Sequence, residues 1–576
     1  MRTICSKVMS INSEIARSLH DMAELYAVKG DFFRSRAFML ASRRVESLGE
    51  DLGKIREKEG LTSIPSVGKG IAAVIEELLQ TGESKELEDL KESLPYGLLD
   101  LMKLEGVGPK TALRLRNEFG VTSVEELEAV LRDGKLVELK GFGPKAQENL
   151  LNSVRDYRSR QDRFLLGAIL PVVDSVLLYM SRCEEIVQID VAGSTRRRKE
   201  TVGDLDLVAA STKPEEAVEW FVSMKGVGRI VSRGTTRSTI VMSPNLQVDL
   251  RVVEPEAYGA AFLYLTGSKE HNVKLRTIAI KKGYKLNEYG LFKRKTNQKI
   301  AGTTEEDIYS ALSMSWIEPE LREDRGELDA AIERRLPVLV TIEEIQGDLH
   351  VHSEWSDGSA SIEEIMNKAK AMGLKYTAIC DHSKSLGIAR GLDEARLKKQ
   401  VDEIGKINNK TEGFTVLRGI ECDIRSDGDL DLPDAVLKDL DFVVASIHSG
   451  FKAEEKQLTA RMINAIHNDY VSAIGHPTGR IIQRRNPYAL DLDRVFEAAA
   501  DAGVMMEINA FPDRLDLDDE NSRAAKEHGV RICIGTDAHS LGHMDFLPLG
   551  VYVARRGWLR GTDVVNTLSA KEITEL

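Results

Sequence analysis

Two aspartates stand two residues apart within an apolar run of the chain, at Asp204 and Asp206. Successive side chains of a strand point to opposite faces, so a strand here places both carboxylates on one face. Asp249 lies in a second strand-like run and can supply a third carboxylate. Oxygen ligands suit Mg2+ or Mn2+, and two such ions can activate a hydroxyl and hold a leaving pyrophosphate. We therefore predict a two-metal phosphoryl-transfer site with these aspartates as catalytic ligands; the alternative is a solvated acidic strand end.

The residues just before this pair predict a binding site for a nucleoside triphosphate. Gly193 and Ser194 offer a turn N–H group and a hydroxyl, and Arg197 offers a fork-shaped cation that suits phosphate oxygens. Gly203 directly precedes Asp204 and belongs to the same nucleotide-binding stretch.

A second set of chemically active residues occupies the C-terminal part of the chain. A strand-like run places His350 and His352 on one face. Further apolar runs lead into metal-ligand candidates: Asp357, His382, Glu421, His448, His476, Asp537 and His539. Helical segments separate these runs, and β-α alternation predicts a parallel sheet or a barrel whose strand ends meet in one mouth. Imidazoles and carboxylates suit Mn2+, Zn2+ or Fe2+, and this many ligands predicts several ions that activate a water molecule against a phosphate.

A glycine pattern followed by lysine recurs three times in the helix-rich region before about residue 155. The copies contain Gly68 with Lys69, Gly106 and Gly108 with Lys110, and Gly141 and Gly143 with Lys145. Glycine permits a tight turn close to a ligand, and the free N–H groups of the next helix can face an anion. The copies resemble the helix-hairpin-helix, which holds DNA phosphates without reading sequence. An ordinary glycine-containing turn is the alternative, and Ser66 makes the first copy the weakest.

The composition indicates a soluble protein of several domains. The 576 residues include 42% hydrophobic and 30% charged residues, with a net charge of -13. This acidity argues against unspecific coating of DNA, whereas a basic cluster such as 196–199 still allows a local DNA groove. Five scattered cysteines and the lack of a signal pattern indicate a reduced, cytoplasmic chain. The apolar segment 164–180 contains Pro171 and Asp174, so we expect a buried helix and no membrane span.

The elements that must position these residues follow from local patterns. Strand-like runs cover 186–191, 205–209, 240–243 and 247–252, and residues 257–317 mix helix with short strands. A charged stretch at 318–335 predicts a helix, and 336–338 predicts a linker.

Residues 193–208 resemble the palm motif of family X (polymerase beta-like) DNA polymerases, within the nucleotidyltransferase superfamily. The stretch 264–276 resembles the nucleotide-binding thumb of that family. By this resemblance Tyr264 lies against the sugar, Gly267 and Asn272 contact the incoming nucleotide, and Arg276 contacts the template strand. Leu265 stands where the family has Phe, which bears on ribonucleotide exclusion.

Residues 15–90 resemble the small lyase domain of the same family. The lysine that forms a Schiff base in the family falls at Val74 here, and a valine cannot attack a sugar aldehyde. We therefore expect no deoxyribose-phosphate lyase activity through this position. Arg34 and Lys69 can still grip a 5′-phosphate, although a solvated surface explains them as well.

The histidine-rich region resembles the PHP (polymerase and histidinol phosphatase) domain over nearly its whole length. The resemblance implies three metal ions. One would be held by His350, His352, Glu421 and Asp537; a second by Glu421, His448 and His476; a third by Asp357, His382 and His539. Asp381 would orient a ligand or cap the following turn.

These resemblances imply a multidomain fold with helical helix-hairpin-helix domains, an α+β nucleotidyltransferase palm and thumb, and a distorted (βα)7 PHP barrel. The expected boundaries are 1–90 for the lyase-like domain, 91–155 for the fingers, 156–256 for the palm, 257–320 for the thumb, 321–342 for a linker and 343–576 for the PHP domain.

The expected activity is gap-filling DNA synthesis in DNA repair, with a metal-dependent 3′–5′ exonuclease in the PHP domain and a cut at abasic sites as a related possibility. The expected partners are gapped or nicked DNA and deoxynucleoside triphosphates, with Mg2+ or Mn2+ at the palm, and the chain is expected to be monomeric. Two alternatives remain open: a polymerase fused to a small-molecule phosphatase, and a non-catalytic DNA-binding scaffold.

Overall fold

The computed structural model describes residues 11–46, 48, 52–58, 60–82, 84–93, 97–102, 104, 106–138, 142–161, 163–243 and 245–576. The chain divides into two compact units, Met1–Asp162 and Arg163–Leu576. Within the described ranges, no helix combines the length and the apolar character needed to cross a bilayer.

The first unit consists of helices joined by short turns, as the sequence predicts. Its helices are α1 (Ile11–Lys29), α2 (Phe32–Glu46), α3 (Leu52–Lys58), α4 (Lys69–Thr81), α5 (Lys85–Ser93), α6 (Gly97–Met102), α7 (Pro109–Phe119), α8 (Val124–Arg132) and α9 (Pro144–Gln161). Helices α1 and α2 pack together, and Leu19, Met22 and Leu25 of α1 belong to the core. Val74 of α4 is buried in the same core, where it acts as a packing residue.

The hairpin turns of this unit place glycines directly before helices. Gly68 and Gly108 precede α4 and α7 with extended backbone, and Gly143 precedes α9. Two residues earlier, Gly106 has φ 88° and Ser66 has φ 67°. This left-handed conformation is easy for glycine and rare for other residues, which explains the glycine in the pattern.

The second unit begins with the elements that carry the aspartate pair. They are β1 (Phe164–Leu165), α10 (Leu166–Met180), β2 (Gln188–Val191), α11 (Gly193–Arg196), β3 (Thr201–Val202), β4 (Asp204–Ala210), α12 (Pro214–Val222), β5 (Val227–Arg233), β6 (Arg237–Met242) and β7 (Leu246–Val253). Helix α10 is the apolar segment expected to be buried, and Val172, Val176 and Met180 lie in the core. One mixed sheet has the order β2-β4-β7-β6-β5. Strand β5 was not anticipated, because it lies at the sheet edge and its largely exposed side chains give no alternating pattern.

Strands β4 and β7 are parallel neighbours. Leu205 pairs with Val248, and Asp206 pairs with Asp249. Leu205 is fully buried in the core, so the opposite face of the strand carries the aspartates. The sequence pattern of β4 therefore fixes which face holds the carboxylates.

The next elements form a small mixed domain. They are α13 (Tyr258–Thr266), α14 (Lys269–Lys281), β8 (Tyr284–Asn287), β9 (Gly290–Lys293), β10 (Lys299–Ala301), α15 (Glu305–Ala311) and α16 (Glu327–Ile332). The three strands form an antiparallel sheet, and Leu263 of α13 and Leu275 of α14 lie in a shared core.

The prediction of a helix over 318–335 is wrong for most of that segment. Its described helical parts are a 3-10 turn at Pro319–Leu321 and the short α16. Between them Asp324 has φ 57° and Gly326 has φ 99°, which interrupts helical geometry. Three charged residues of this segment, Glu320, Arg322 and Glu327, are buried, so its charges do not mark the solvated face of a helix.

Arg322 has the largest of these buried side chains, and it is fully enclosed. Its guanidinium donates hydrogen bonds to the carboxylate of Glu305 at 2.6 and 2.9 Å and to the carbonyl oxygen of Ile317. Leu328 and Ala331 join the core of the same small domain. The segment 321–342, expected to be a linker, is therefore packed rather than extended.

The C-terminal part forms a βα barrel. Its elements are β11 (Gly347–Val351), α17 (Ile362–Ala371), β12 (Tyr376–Ile379), α18 (Glu394–Lys410), β13 (Thr415–Asp423), α19 (Asp434–Leu437), β14 (Phe442–Ser446), α20 (Glu455–Ile466), β15 (Ala473–Ile474), α21 (Leu492–Ala502), β16 (Met505–Asn509), α22 (Asp519–Glu527), β17 (Ile532–Gly535), α23 (Leu547–Arg556) and α24 (Ala570–Thr574). The seven strands are parallel and lie in sequence order from β11 to β17. Buried side chains on both faces produce the continuous apolar runs seen in the sequence.

The barrel is nearly closed between its first and last strands. Asp537 N donates to His350 O at 2.8 Å, and His352 N donates to Ala538 O at 2.9 Å. The predicted fold class, with a helical first part, an α+β middle part and a seven-stranded βα barrel, is confirmed.

Candidate active sites

The three aspartates of the mixed sheet converge. One carboxylate oxygen from each of Asp204, Asp206 and Asp249 lies within 4.8 Å of the others. The register of β4 and β7 produces this cluster, because Asp206 and Asp249 are paired and Asp204 lies two residues along the same face. Thr239 and Gln247 donate hydrogen bonds to Asp249 at 2.5 and 2.7 Å, which orients its carboxylate.

The electrostatics of this cluster favour a bound cation. Burial, together with the neighbouring Asp204 and Asp249 carboxylates, raises the pKa of Asp206 to about 7. Burial and Asp249 also raise the pKa of Asp204. Carboxylates held this close repel one another unless positive charge lies among them, so the oxygen-only set fits Mg2+ or Mn2+.

Gly193 lies against the aspartate cluster. Its φ is 59°, and a Cβ at this position would lie 2.1 Å from Oδ2 of Asp206. Glycine is therefore required here both by the backbone conformation and by the space that the carboxylate occupies. The adjacent Ala192 N–H donates to the carbonyl of Asp206 at 2.8 Å, which ties this turn to β4.

The remaining predicted triphosphate residues surround the same strand. Ser194 follows Gly193 in α11, and Gly203 directly precedes Asp204. Arg197 Nε donates to Glu323 at 3.0 Å, and another of its N–H groups donates to the carbonyl of Thr266. A Cβ on Gly267 would lie 3.1 Å from the Arg197 guanidinium, so the predicted palm and thumb residues meet here.

The other predicted thumb residues lie along α13 and α14. Asn272 Nδ2 donates to the carbonyl of Tyr264 at 2.7 Å, and Arg276 Nε donates to the carbonyl of Asn272 at 3.2 Å. Tyr264 and Arg276 are exposed, and Asn272 is half-buried. The structure thus places these three residues next to one another, with the side chains of Tyr264 and Arg276 open to a ligand.

A second cluster lies at the carboxyl ends of the barrel strands, with Glu421 at its centre. Glu421 Oε1 lies 2.9 Å from His476 Nε2 and 3.2 Å from His448 Nε2. These three residues are the set predicted for one metal ion, and the structure brings them together.

The set predicted for another ion shares the other oxygen of Glu421. Glu421 Oε2 lies 3.6 Å from Nε2 of both His350 and His352. His352 Nε2 also lies 3.0 Å from Asp537 Oδ1 and 3.2 Å from His350 Nε2. His350 lies in β11, His352 directly follows that strand, and Asp537 follows β17, so barrel closure assembles this group.

The third predicted set is grouped around Asp357. Its Oδ1 lies 3.4 Å from His539 Nε2, 3.7 Å from His382 Nε2 and 4.0 Å from His352 Nδ1. His382 Nδ1 lies only 2.8 Å from Glu421 Oε2. The third group is therefore continuous with the other two, and His382 stands between them.

Buried atoms without partners show that this cluster fits metal ions. Among the described residues, Nδ1 of His352 and of His476 is enclosed and makes no hydrogen bond, and His382 Nδ1 and Glu421 Oε2 lie 2.8 Å apart without forming one. Leaving such atoms unsatisfied is costly, and imidazole nitrogens and carboxylate oxygens are suitable metal ligands. The cluster is thus a candidate site for several ions of the Mn2+, Zn2+ or Fe2+ type.

The imidazoles of this cluster have strongly perturbed proton affinities. Burial opposes the charged form of His448, but the Glu421 and Asp423 carboxylates outweigh it and raise the pKa of His448 to about 10. In the same way, Asp357 outweighs burial and raises the pKa of His539 to about 9. Burial and the neighbouring His539 and His382 lower the pKa of His352 to about 3.

Two carboxylates that sequence reasoning missed orient the ligands. Glu507 Oε1 lies 2.6 Å from His350 Nδ1, and its Oε2 accepts the His476 backbone N–H at 2.6 Å. Asp423 Oδ1 lies 2.7 Å from His448 Nδ1. The available signal was a lone acidic residue inside a buried strand, since Glu507 lies in the apolar β16 and Asp423 ends β13.

Two further polar residues support the pocket. Asp381 is fully buried and accepts hydrogen bonds from Ser353, Ser356 and Gln400, which holds the loop that leads to Asp357. Arg514, also unanticipated, places Nε 3.4 Å from Asp537 Oδ2 and keeps about a fifth of its side chain exposed (21%). Arg514 is therefore a cation at the edge of the metal-ligand cluster.

The predicted DNA-contacting residues of the hairpins lie in the first unit. Lys69, Lys110 and Lys145 are exposed beside Gly68, Gly108 and Gly143, at or just after the start of a helix. Gly141 lies outside the described residues.

Comparison with known proteins assigns the parts of the chain. Residues 261–323 match the model of the DNA polymerase beta thumb, and residues 348–511 match that of the PHP domain. Residues 10–84 match a helix-hairpin-helix domain, and residues 98–156 match a SAM-like helix-hairpin-helix tandem.

Relatives cover both the whole chain and its parts. The DNA polymerase/3′-5′ exonuclease PolX of Bacillus subtilis is 36% identical over 566 residues, covering 97% of this chain and 98% of that protein. A probable phosphatase of Thermoanaerobacter sp. is 36% identical over 203 residues, covering 33% of this chain and 78% of that protein. DNA polymerase lambda of Arabidopsis thaliana is 25% identical over 351 residues, covering 55% of this chain and 63% of that protein. With a relative of this identity along nearly its full length, and with thumb, helix-hairpin-helix and PHP models all matching, the chain belongs to the family X DNA polymerases that carry a C-terminal PHP domain.

Proposed function

We propose that the chain is a DNA-directed DNA polymerase that fills gaps during DNA repair and removes 3′ ends with its PHP domain. The observation that carries this proposal is the presence of two separate metal-ligand clusters in one chain of this family. Three carboxylates lie on the mixed sheet, and a histidine-rich set lies at the barrel mouth.

At the palm, Asp204, Asp206 and Asp249 would hold Mg2+ or Mn2+. Bound there, the ions would lower the pKa of a primer 3′-hydroxyl and neutralise charge on the leaving pyrophosphate. Thr239 and Gln247 keep Asp249 turned toward the other two carboxylates through the hydrogen bonds described above.

The incoming nucleotide would lie between α11 and α13. The backbone of Gly193, the hydroxyl of Ser194 and the guanidinium of Arg197 would bind its triphosphate. Across the thumb, Tyr264 and Asn272 would contact the sugar and base, in line with the family resemblance.

DNA would be held without sequence specificity by the hairpins of the first unit. Exposed lysines next to free helix N-termini suit phosphate oxygens, as at Lys69 and Lys110. Because phosphate contacts carry no base information, such a grip suits an enzyme that must act at any gap.

In the barrel, the ligand set around Glu421 would hold up to three divalent ions, which supply a Lewis acid for phosphate and lower the pKa of a water molecule. Glu507 and Asp423 fix the orientation of His350 and His448. Arg514, at the edge of the cluster, would bind the scissile phosphate. DNA phosphodiesters are the proposed substrate, with cleavage at abasic sites as a related reaction.

A second candidate for the barrel is hydrolysis of small phosphomonoesters. Its support is the 36% identity between this part of the chain and a probable phosphatase. The two candidates use the same ligands, so the substrate assay, and not the metal content, separates them.

We also propose the domain boundaries given by the sequence, with the segment 321–342 assigned to the packed thumb region rather than to a free linker. The proposed state is a monomer in the cytoplasm.

The test uses a gapped duplex with a labelled primer, Mn2+ and deoxynucleotides, with Asp204→Ala and His350→Ala compared separately. We expect Asp204→Ala to abolish extension and to retain primer shortening, and His350→Ala to do the reverse. Extension that persists in Asp204→Ala would refute the palm assignment. Shortening that persists in His350→Ala, together with lost cleavage of a small phosphomonoester, would favour the phosphatase.

A further inference from the structure

A segment between the nucleotide-binding turn and the catalytic strand is held by the barrel. The carbonyl of Arg197 accepts a hydrogen bond from Arg556 at 2.7 Å. The guanidinium of Arg198 lies over the ring of Tyr552, 4.3 Å from its centre. Glu200 accepts a hydrogen bond from Arg480 at 2.6 Å. Residues 197–200 therefore depend on side chains of the barrel for their position.

Arg556, the last residue of α23, is the most buried of these barrel residues, with 4% of its surface exposed. Besides the Arg197 carbonyl, it donates to Glu323 at 3.1 Å and to Asp519 at 2.7 Å. Glu323 in turn accepts from Arg197 Nε at 3.0 Å. Arg556 thus holds Arg197 twice, through its backbone and through the carboxylate that binds its side chain.

Carboxylates on both sides of Arg556 hold its guanidinium in this position. The Arg556 and Arg197 guanidinium groups share Glu323, and together they outweigh burial and lower the pKa of that carboxyl group. Asp519 also pairs with Arg325 at 3.0 Å, which anchors the far side of Arg556. Loss of Arg556 would remove one of the two arginine partners of Glu323 and would leave the carbonyl oxygen of Arg197 without this donor.

We propose that Arg556 is a positioning residue of the polymerase site, so that the PHP barrel supports nucleotide binding independently of its own hydrolytic chemistry. This inference rests on the proposed role of Arg197 in binding the triphosphate. Arg556 does not reach the reacting atoms itself; it fixes the direction of the Arg197 guanidinium beside Gly267 and the backbone that leads to Asp204.

The test is single-nucleotide addition to a gapped duplex by the full-length protein, with KM for the deoxynucleotide and kcat measured separately. We expect Arg556→Gln to raise KM about tenfold while kcat changes by less than about threefold. Arg556→Lys, which keeps the charge and loses the fork, should lie between wild type and Arg556→Gln. Primer shortening by the barrel should match the wild-type rate.

The matched control is Arg555→Gln, on the same helix. Arg555 bonds Glu320 at 2.7 Å and the carbonyl of Val340 at 3.1 Å, so it joins the barrel to the thumb without touching Arg197. Its KM should remain at the wild-type value. An equal rise in KM for Arg555→Gln would show general loosening and would overturn the proposal.

A double-mutant cycle separates positioning from a merely structural role. In an Arg197→Ala background, Arg556→Gln should raise KM no further, because the positioned group is gone. Full additivity would overturn the proposal. If Arg556→Gln fails to fold, Asp519→Asn, which removes the other anchor of Arg556, replaces it with the same expected rise. The failure of this inference can be told apart from the failure of the proposed function. If the wild-type protein extends primers and Asp204→Asn loses extension, an unchanged KM in Arg556→Gln refutes only the inference about Arg556.

Discussion

Glu507 joins two metal-ligand candidates, since one of its oxygens lies 2.6 Å from His350 Nδ1 and the other accepts the backbone N–H of His476. This carboxylate fixes which nitrogen of His350 faces the pocket, because a ring N–H directed at Glu507 leaves Nε2 free for a metal ion.

Glu507→Gln should therefore weaken metal binding at the barrel by about 10- to 100-fold, with nuclease activity falling in parallel at limiting metal. Metal titration followed by calorimetry measures the affinity. Glu320→Gln, another buried carboxylate outside the cluster, is the control and should bind metal as wild type does. Equal affinities for the two variants would contradict the role of Glu507.

Gly193→Ala should impair nucleotide addition. The new Cβ would lie 2.1 Å from Oδ2 of Asp206, so that carboxylate must move away from the metal-binding position. We expect kcat/KM for addition to fall about 100-fold, as misplaced catalytic groups typically cause. Gly405→Ala is the control, since a Cβ there meets nothing within 4 Å. Wild-type extension by Gly193→Ala would contradict the tight packing at this position.

Metal binding at the barrel should release protons. In the metal-free protein His448 and His539, with pKa values of about 10 and about 9, carry protons at neutral pH. A metal must displace these protons, so its apparent affinity should increase as pH rises from about 6 to 9. Calorimetry in buffers of different ionisation enthalpy counts the released protons. Metal affinity that is constant across this range, with no proton release, would contradict the prediction.

The hairpin lysines should account for part of the salt dependence of DNA binding. Replacing Lys69, Lys110 and Lys145 together by alanine should reduce the slope of log K against log salt by about 3, roughly one per phosphate contact. Fluorescence anisotropy with a gapped duplex measures this slope. Lys85→Ala, an exposed lysine outside the hairpins, should leave it unchanged. A triple variant with the wild-type slope would remove the hairpins from the DNA contact.

The buried pair of Arg322 and Glu305 should matter more for stability than an exposed pair in the same segment. Arg322→Met removes one of the two arginine partners of the buried Glu305, with Arg196 remaining, and should lower the free energy of unfolding by about 2 kcal/mol or more. Arg335→Met removes the exposed pair with Glu333 and should cost about 1 kcal/mol or less. Chemical denaturation of both variants gives the comparison, and equal costs would contradict the prediction.

Short-range sequence patterns predicted the elements that hold the sites. The period of two places Asp204 and Asp206 on one face, and strand ends in a barrel bring His350 near Asp537 although they are distant in sequence. The first inference depends on the two-residue period of any strand, and the second on the way every βα barrel gathers the carboxyl ends of its strands.

The parts that sequence could not predict depend on particular long-range partners. Arg556 lies 359 residues from the Arg197 carbonyl to which it donates, and no local pattern indicates such a pair. The same holds for Arg322, whose charge suggests a solvated helix until its partner Glu305 is known. Glu507 could not be predicted because a single carboxylate inside an apolar strand matches no motif.

The metal-ligand groups include residues from both sides of the seam between β11 and β17. His350 and His352 lie at the end of β11, and Asp537 and His539 lie just after β17. An ion bound there would link the first and last strands, at the place where the barrel could open. Stripping the ions would uncover strand borders that can pair with those of another molecule, so chelation should promote aggregation as well as inactivation.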